Sequence, residues 1–161
     1  MTVSQAPSGG VAAGPSVKSQ LRVSAMILQP DRGILLCRFS HLDFWMLPGG
    51  RVKQGEDLTH AMVRELVEEL GVEPSATALR WVIENYFDVG GSPMAEVGFY
   101  FAVDLPAGTA APDGFPGREP GLNFRWWPLT ALPDIDLRPA NLASLLLDGG
   151  AGRFVHRVWR D

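Results

Sequence analysis

The composition of the chain favours one small globular domain. It has 161 residues, 46% hydrophobic and 20% charged, which is enough for one core and too few for two ordinary domains. The formal net charge of −4 argues against a protein that holds nucleic acid polymers through non-specific phosphate contacts. The lone cysteine, Cys37, excludes an internal disulfide and is typical of a reducing cytoplasmic compartment. No apolar run approaches the roughly 20 residues that span a bilayer, so we expect no membrane segment.

The order of the predicted elements indicates an α/β fold. Residues 1–20 are rich in Ser, Gly, Ala and Pro and predict a flexible N-terminal arm, which leaves 21–161 as the folded domain. Apolar and alternating runs predict strands at 22–29, 34–39, 78–88, 96–104, 123–128 and 153–159, the first two forming a hairpin. Helices are predicted at 58–70 and 138–147, and a long Gly- and Pro-rich loop at 105–122. This order suits a mixed sheet between helices.

The first predicted helix carries a cluster of carboxylates. Glu65, Glu68 and Glu69 stand at i, i+3 and i+4, so their side chains share one flank and repel one another unless a cation lies among them. Mg²⁺ suits such oxygen ligands best, because it is held by a few carboxylates together with substrate phosphates, and Mn²⁺ is an acceptable substitute. Acid-rich helix faces are commonly solvated surface. The glycine-rich entry to this helix favours the metal site instead, because glycines let backbone carbonyls approach an ion closely.

The segment from Gly50 to Val72 resembles the Nudix box, G-x5-E-x7-R-E-U-x-E-E-x-G-U, where U is a bulky apolar residue. Every specified position is matched, by Gly50, Glu56, Arg64, Glu65, Leu66, Glu68, Glu69, Gly71 and Val72. The resemblance covers residues 21–72 in detail and implies an α/β/α sandwich with a mixed β-sheet. It also implies an enzyme that hydrolyses, with Mg²⁺, a phosphoanhydride bond in a nucleoside diphosphate linked to another moiety. Nucleoside di- and triphosphates, nucleotide sugars and dinucleoside polyphosphates are the candidate substrates.

The same resemblance implies roles for the residues of the box. Glu68 and Glu69 are the expected principal metal ligands, joined by the backbone carbonyl of Gly50. Glu65 either binds metal or accepts the proton of the attacking water. Arg64 belongs with these catalytic residues and is expected to pair with Glu56, which with the helix-ending Gly71 has a structural role.

Relatives of this family often use a further acidic residue outside the box, in a loop before a Trp-containing strand. Glu119 fits that position, seven residues before Trp126, and Glu96 is the alternative. Either residue would complete the metal shell or act as the base.

Candidates for substrate binding are less sharply defined. Arg38 and Arg51 are expected to reach phosphates, because guanidinium groups match phosphate oxygens. Phe39, Trp45 and Tyr86 are candidates to stack on a base, although core packing is the commoner role of such aromatics. Phe44 is a further candidate of the same kind. The adjacent Trp126 and Trp127 are expected to face opposite ways, one inward and one outward.

Two further expectations concern partners. The expected partner is a small nucleotide, and the strand-rich edges and N-terminal arm allow a homodimer. The alternative function is a Nudix-fold module that senses a nucleotide metabolite without hydrolysing it. Its usual sign is an incomplete box, and this box is complete.

Overall fold

The structure, a computed structural model, describes residues 17–107, 109 and 112–160. Its strands are β1 (Lys18–Met26), β2 (Leu28–Gln29), β3 (Gly33–Phe39), β4 (Ala76–Val89), β5 (Ser92–Asp104), β6 (Gly114–Pro116), β7 (Leu122–Trp127) and β8 (Val155–Arg160). Its α-helices are α1 (Leu58–Glu69) and α2 (Leu142–Leu147), with short 3₁₀ helices at Leu129–Asp134 and Gly150–Gly152. Within the described residues, no helix is both long and apolar enough to cross a membrane.

The strands form two four-stranded sheets. The larger sheet has the order β1-β5-β4-β8, in which β1 and β5 are parallel, β4 and β5 antiparallel, and β4 and β8 parallel. The smaller sheet has the order β2-β3-β7-β6 and is antiparallel. The long β4–β5 hairpin is the centre of the larger sheet. It turns at Gly90 and Gly91, both at positive φ, which glycine adopts without steric cost.

Helices cover both faces of the sheet layer, because alternate residues of each strand point to opposite sides. On one face, α1 buries Ala61, Met62 and Leu66 against strand residues such as Val23 and Phe124. On the other face, the 3₁₀ helix Leu129–Asp134 and α2 pack against a second buried cluster. The predicted fold class, an α/β/α sandwich with a mixed sheet, is confirmed.

Several element boundaries differ from the prediction. The predicted strand 22–29 is divided at Ile27, and its first part pairs with β5 of the larger sheet while only β2 forms the hairpin with β3. Residues 18–20, assigned to the arm, belong to β1, and the rest of the arm up to residue 16 lies outside the described residues. The second helix begins at Leu142 rather than at residue 138, and the loop 105–122 contains β6.

Trp126 and Trp127 face opposite sides of β7, as alternation requires, but neither points outward into solvent. Trp126 belongs to the α1-side core, and Trp127 packs against the second core with its indole nitrogen buried. The expectation of one outward tryptophan was wrong because helical segments cover both faces of this strand.

Candidate active site

Local interactions fix both ends of α1. The side chain of Asp57 accepts a hydrogen bond from the backbone N–H of His60 at 2.8 Å, which satisfies one of the free donors of the first turn. Gly71 ends the helix at φ +74°, and its N–H donates to the carbonyls of Leu66 and Val67. A Cβ at Gly71 would also meet the guanidinium of Arg118, which can move aside, so the positive φ is the reason that this position favours glycine.

Arg64 is the centre of an ion-pair network between the helix and its entry loop. Its guanidinium donates two hydrogen bonds to the carboxylate of Glu56, at 2.7 and 2.9 Å, so the expected pair is present. It also donates to Glu65 at 2.6 Å, to Glu68 at 3.0 Å and to the carbonyl of Arg51 at 3.0 Å. The hydrogen bonds from Arg64 to Glu56, with one from the backbone N–H of Lys53, lower the pKa of Glu56 to about 2. Arg64 therefore fixes the loop and two of the three helix carboxylates relative to one another.

Gly50 lies directly against the carboxylate of Glu65. A Cβ at this position would overlap the carboxyl carbon and oxygens of Glu65, so a larger residue here would displace that carboxylate. The carbonyl of Gly50 accepts a hydrogen bond from the N–H of Val23 at 2.9 Å, which leaves one of its lone pairs available.

Glu69 is a buried carboxylate, only 5% exposed. One of its oxygens accepts a hydrogen bond from the N–H of Gly49 at 3.0 Å. Burial raises the pKa of Glu69 to about 8, and the nearby charges of Glu65 and Glu119 add to that rise, while the Gly49 hydrogen bond and Arg22 oppose it. The surrounding protein therefore does not compensate the charge of an ionised Glu69, and the metal-free protein retains a proton on this carboxyl group at pH 7.

The loop that carries Glu119 is attached to the end of α1. The N–H of Arg118 donates to the carbonyl of Glu69 at 2.8 Å, and the next residue, Glu119, is near enough to Glu69 to act on its charge. Glu96 lies elsewhere, on β5, where its carboxylate accepts a hydrogen bond from Gln20 at 2.6 Å. The structure therefore groups Glu119, and not Glu96, with the carboxylates of the box.

The donor set of this cluster fits a hard divalent cation. Glu65, Glu68, Glu69 and Glu119 offer only oxygen atoms, which Mg²⁺ and Mn²⁺ prefer. In the described part of the chain, no three acidic, histidine or cysteine side chains are arranged as a ready-made set of ligands. Arg64 accounts for this, because it holds Glu65 and Glu68 towards its own guanidinium.

A pocket of about 520 Å³ opens beside the box on the α2 side of the larger sheet. It is lined by Arg22, Ser24, Phe44, Met46, Leu47, Asn85, Phe87, Glu96, Tyr100, Arg138, Pro139, Ala140 and Leu142. Gly49 connects it to the carboxylates, because the Gly49 N–H binds Glu69 while the Gly49 carbonyl accepts a hydrogen bond from Arg22 at 2.7 Å. A volume of this size is usual for a small-molecule site.

The structure does not bring the predicted substrate-binding residues together. Arg51 lies in a second groove along the entry loop of α1, and the guanidinium of Arg38 lies 4.8 Å from the ring of Trp45. Phe39 packs against the α1-side core, and Tyr86 donates a hydrogen bond to Glu84. None of these five lines the 520 Å³ pocket, whereas Phe44 does.

Sequence reasoning missed the polar residues of the pocket, notably Ser24, Asn85 and Tyr100. A signal for them existed, because Ser24 and Asn85 are polar and stand in register with the buried faces of β1 and β4.

Comparison with known proteins agrees with the fold and the box. The NUDIX domain family matches residues 18–146, so the chain belongs to the Nudix hydrolase family. It is 30% identical over 123 residues to the oxidized purine nucleoside triphosphate hydrolase of Mus musculus, covering 75% of this chain and 74% of that protein. It is 24% identical over 121 residues to the uncharacterized Nudix hydrolase YvcI of Bacillus subtilis, covering 74% and 73% of the two chains. The MutT protein of Bacillus halodurans shares the fold, with a TM-score of 0.61, 15% identity, and 88% and 89% of the two chains covered.

Proposed function

We propose that this chain uses Mg²⁺, or Mn²⁺ in its place, to hydrolyse a phosphoanhydride bond in a nucleoside diphosphate linked to another moiety. The observation that carries the proposal is the buried Glu69, which shares its surroundings with Glu65 and Glu119 beside a pocket that suits a small molecule. A divalent cation bound here would displace the proton of Glu69 and supply the positive charge that the surrounding protein lacks. When bound, the cation neutralises phosphate oxygens and lowers the pKa of water.

The residues of the chain would share the remaining work. Glu68, Glu69 and the Gly50 carbonyl would hold the metal. Glu65 is the candidate to bind metal or to accept a proton from the attacking water, and Glu119 is the further carboxylate that its loop brings to the site. Arg64 would keep Glu65 and Glu68 in fixed positions, because it donates a hydrogen bond to each of them.

Two regions beside the box would receive the ends of the substrate. Arg51, together with Lys18 and Lys53, lines the groove along the entry loop, where guanidinium and ammonium groups suit phosphate oxygens. The 520 Å³ pocket, with Arg22 at its boundary with the box, would take the nucleoside. Since a relative is named as a hydrolase of oxidized purine nucleoside triphosphates, modified and unmodified purine triphosphates are the first substrates to assay.

Product analysis tests the proposal directly. The purified chain is incubated with nucleoside di- and triphosphates, nucleotide sugars and dinucleoside polyphosphates, in Mg²⁺, Mn²⁺ or EDTA, and products are separated by ion-exchange chromatography. We expect turnover with either metal, none in EDTA, and loss of at least about 100-fold in Glu69→Gln, the size typical for removal of a group that stabilises the transition state.

Glu73→Gln is the matched control, because Glu73 is exposed and lies just beyond the box helix. It removes the same charge and should retain full activity. Nucleotide binding without turnover by the unmodified chain would instead support the sensor function.

We also propose that the chain forms a homodimer, and light scattering after size-exclusion chromatography would test this.

A further inference from the structure

The floor of the 520 Å³ pocket is a set of polar side chains on one face of the larger sheet. Glu96 and Asn85 lie side by side on β5 and β4, and Gln20, which does not itself line the pocket, lies beside Glu96 on β1. Ser24 and Tyr100 form a second pair on the same face. The ring of Tyr100 lies over Gly98, where a Cβ would meet a ring carbon at 2.7 Å, so Tyr100 leans towards Glu96.

Three of these polar side chains are more than nine-tenths buried and have no protein partner. Ser24 is 4% exposed, Asn85 8% and Tyr100 3%. In the described part of the chain, none of the three side chains makes a hydrogen bond, and all three line the pocket. Among the described residues, the fully enclosed side-chain atoms without a partner are Arg80 Nε, Trp126 Nε1 and Trp127 Nε1, so the polar atoms of Ser24, Asn85 and Tyr100 are open to the pocket that they line. Polar groups that the protein leaves unpaired are satisfied by water or by a ligand, and three of them on one pocket suit a ligand with a polar edge.

Of the three charged residues that line the pocket, Arg22, Arg138 and Glu96, only Glu96 is a hydrogen-bond acceptor. Its Oε2 accepts the hydrogen bond from Gln20, and within the described residues its Oε1 has no partner. An ionised carboxylate only accepts hydrogen bonds, so Glu96 favours a ligand edge rich in N–H donors and repels an edge of acceptors. Asn85 beside it both donates and accepts, and can therefore pair with a carbonyl next to those donors.

The walls of the pocket indicate a flat ring rather than a sugar. Phe44, Met46, Leu47 and Phe87 give the walls an apolar and partly aromatic surface. Aromatic and thioether side chains favour contact with the faces of a heterocycle, whereas a sugar would need more polar walls.

We propose that Glu96 is a specificity-determining residue that selects a nucleobase presenting a ring N–H next to an exocyclic amino group. A guanine-type base has this donor–donor edge with a carbonyl beside it. Hypoxanthine lacks the amino group, and adenine and cytosine place an acceptor nitrogen next to theirs. The inference rests on the proposed function only in taking the pocket as the nucleoside site, and it concerns binding rather than hydrolysis.

Binding of nucleoside monophosphates in EDTA tests the inference without any need for turnover. Titration calorimetry would compare dGMP, dIMP and dAMP with the unmodified chain, with Glu96→Gln and with Glu84→Gln. We expect dGMP to bind about 10- to 100-fold more tightly than dIMP, since one charge-assisted hydrogen bond separates them, and more tightly still than dAMP. In Glu96→Gln the ratio between dGMP and dIMP should fall below about threefold.

Glu84→Gln is the matched control. Glu84 precedes Asn85 on β4 and points to the opposite face, where it binds His156 and Tyr86, so its removal should leave the base preference unchanged. Equal affinity of the unmodified chain for dGMP and dIMP would overturn the inference, as would failure of all three probes to bind. A uniform loss of affinity in Glu96→Gln would do so as well. The comparison in the unmodified chain requires no variant, and it stays informative if Glu96→Gln fails to fold.

The hydrolysis assay and this titration can fail separately. Turnover without a preference for dGMP over dIMP would reject Glu96 as the selecting residue and leave the hydrolase proposal intact. A preference for dGMP in a chain that hydrolyses nothing would retain the role of Glu96 and reject the hydrolase proposal.

Discussion

Replacing Glu69 with glutamine should make the metal-free protein more stable while removing its activity. The buried carboxylate of Glu69 accepts a hydrogen bond from the N–H of Gly49, and the carbonyl of a glutamine can accept the same bond. The substitution therefore removes the ionisable group and keeps the shape of the side chain. A purely structural carboxylate would give the opposite result, because its loss would weaken the fold.

The size of the effect follows from the raised pKa of Glu69. The pKa is about 8 in the folded protein against an ordinary value of 4.5. At pH 7 the unfolded chain has released this proton while the folded chain retains it. This pH lies about 2.5 units above the ordinary pKa of the unfolded chain. At about 1.4 kcal/mol per unit, the folded protein is destabilised by about 3 kcal/mol. For a domain of this length, that corresponds to a rise in Tm of roughly 6 to 12 °C in Glu69→Gln.

The pH dependence has a definite sign. Because the folded pKa lies above the unfolded one, the free energy of unfolding of the unmodified chain falls as pH rises from about 4.5 to about 8, and is constant beyond. Glu69→Gln lacks this slope. The two proteins should therefore differ little near pH 4.5 and most at pH 8 and above.

Chemical denaturation in EDTA between pH 4.5 and 8.5 measures these differences, with the exposed Glu73→Gln as control. Added Mg²⁺ should then raise the stability of the unmodified chain more than that of Glu69→Gln, because a ligand stabilises the state that binds it. A Glu69→Gln protein that is less stable than the unmodified chain at pH 8 in EDTA would refute the reasoning. So would equal stabilisation of both proteins by Mg²⁺.

Three further predictions concern the box and the core. Gly50→Ala should lower kcat by at least about 10-fold, because the new methyl group displaces the carboxylate of Glu65. The control Gly55→Ala has open space around its Cβ and should cost only about 1 kcal/mol of stability through its φ of +80°. Steady-state kinetics and melting curves compare the two variants, and equal activities would contradict the prediction. Arg64→Lys should lower kcat about 10- to 100-fold with little change in KM, since a lysine cannot reproduce the forked contacts of the guanidinium, and unchanged steady-state kinetics would argue against the bracing role. Burial raises the pKa of the Cys37 thiol well above its usual value, so iodoacetamide at pH 8 should alkylate the folded protein at least about 100-fold more slowly than the unfolded chain, and rapid labelling seen by mass spectrometry would be inconsistent with that burial.

Much of the candidate site could be predicted because its parts are close together in the chain. The spacing of Glu65, Glu68 and Glu69 places them on one flank of a helix whatever the rest of the fold does. Arg64 and Glu56 are eight residues apart and meet across a single loop. The family resemblance added the pairing of Arg64 with Glu56, which the structure contains, and the roles of these residues, which the assays above test.

The pocket could not be predicted because strand pairings far apart in the chain create it. Gln20 and Glu96 are 76 residues apart and become neighbours only when β1 pairs with β5. Nothing in the sequence separates β1 from the hairpin of β2 and β3, since the run 22–29 alternates and is rich in apolar residues throughout. Residue type alone therefore predicts the binding residues, and these lie at separate places in the structure.

The sequence alone determined the family, the fold class and the helix with its carboxylates, because short-range periodicity and a complete motif carry that information. Tertiary structure decided which faces are covered and which residues share a pocket. Alternation showed that Trp126 and Trp127 point opposite ways, but only the packing of the 3₁₀ helix and α2 showed that Trp127 is covered. In the same way, the raised pKa of Glu69 depends on its burial and on neighbours from three segments outside its own helix, and no local pattern specifies those contacts.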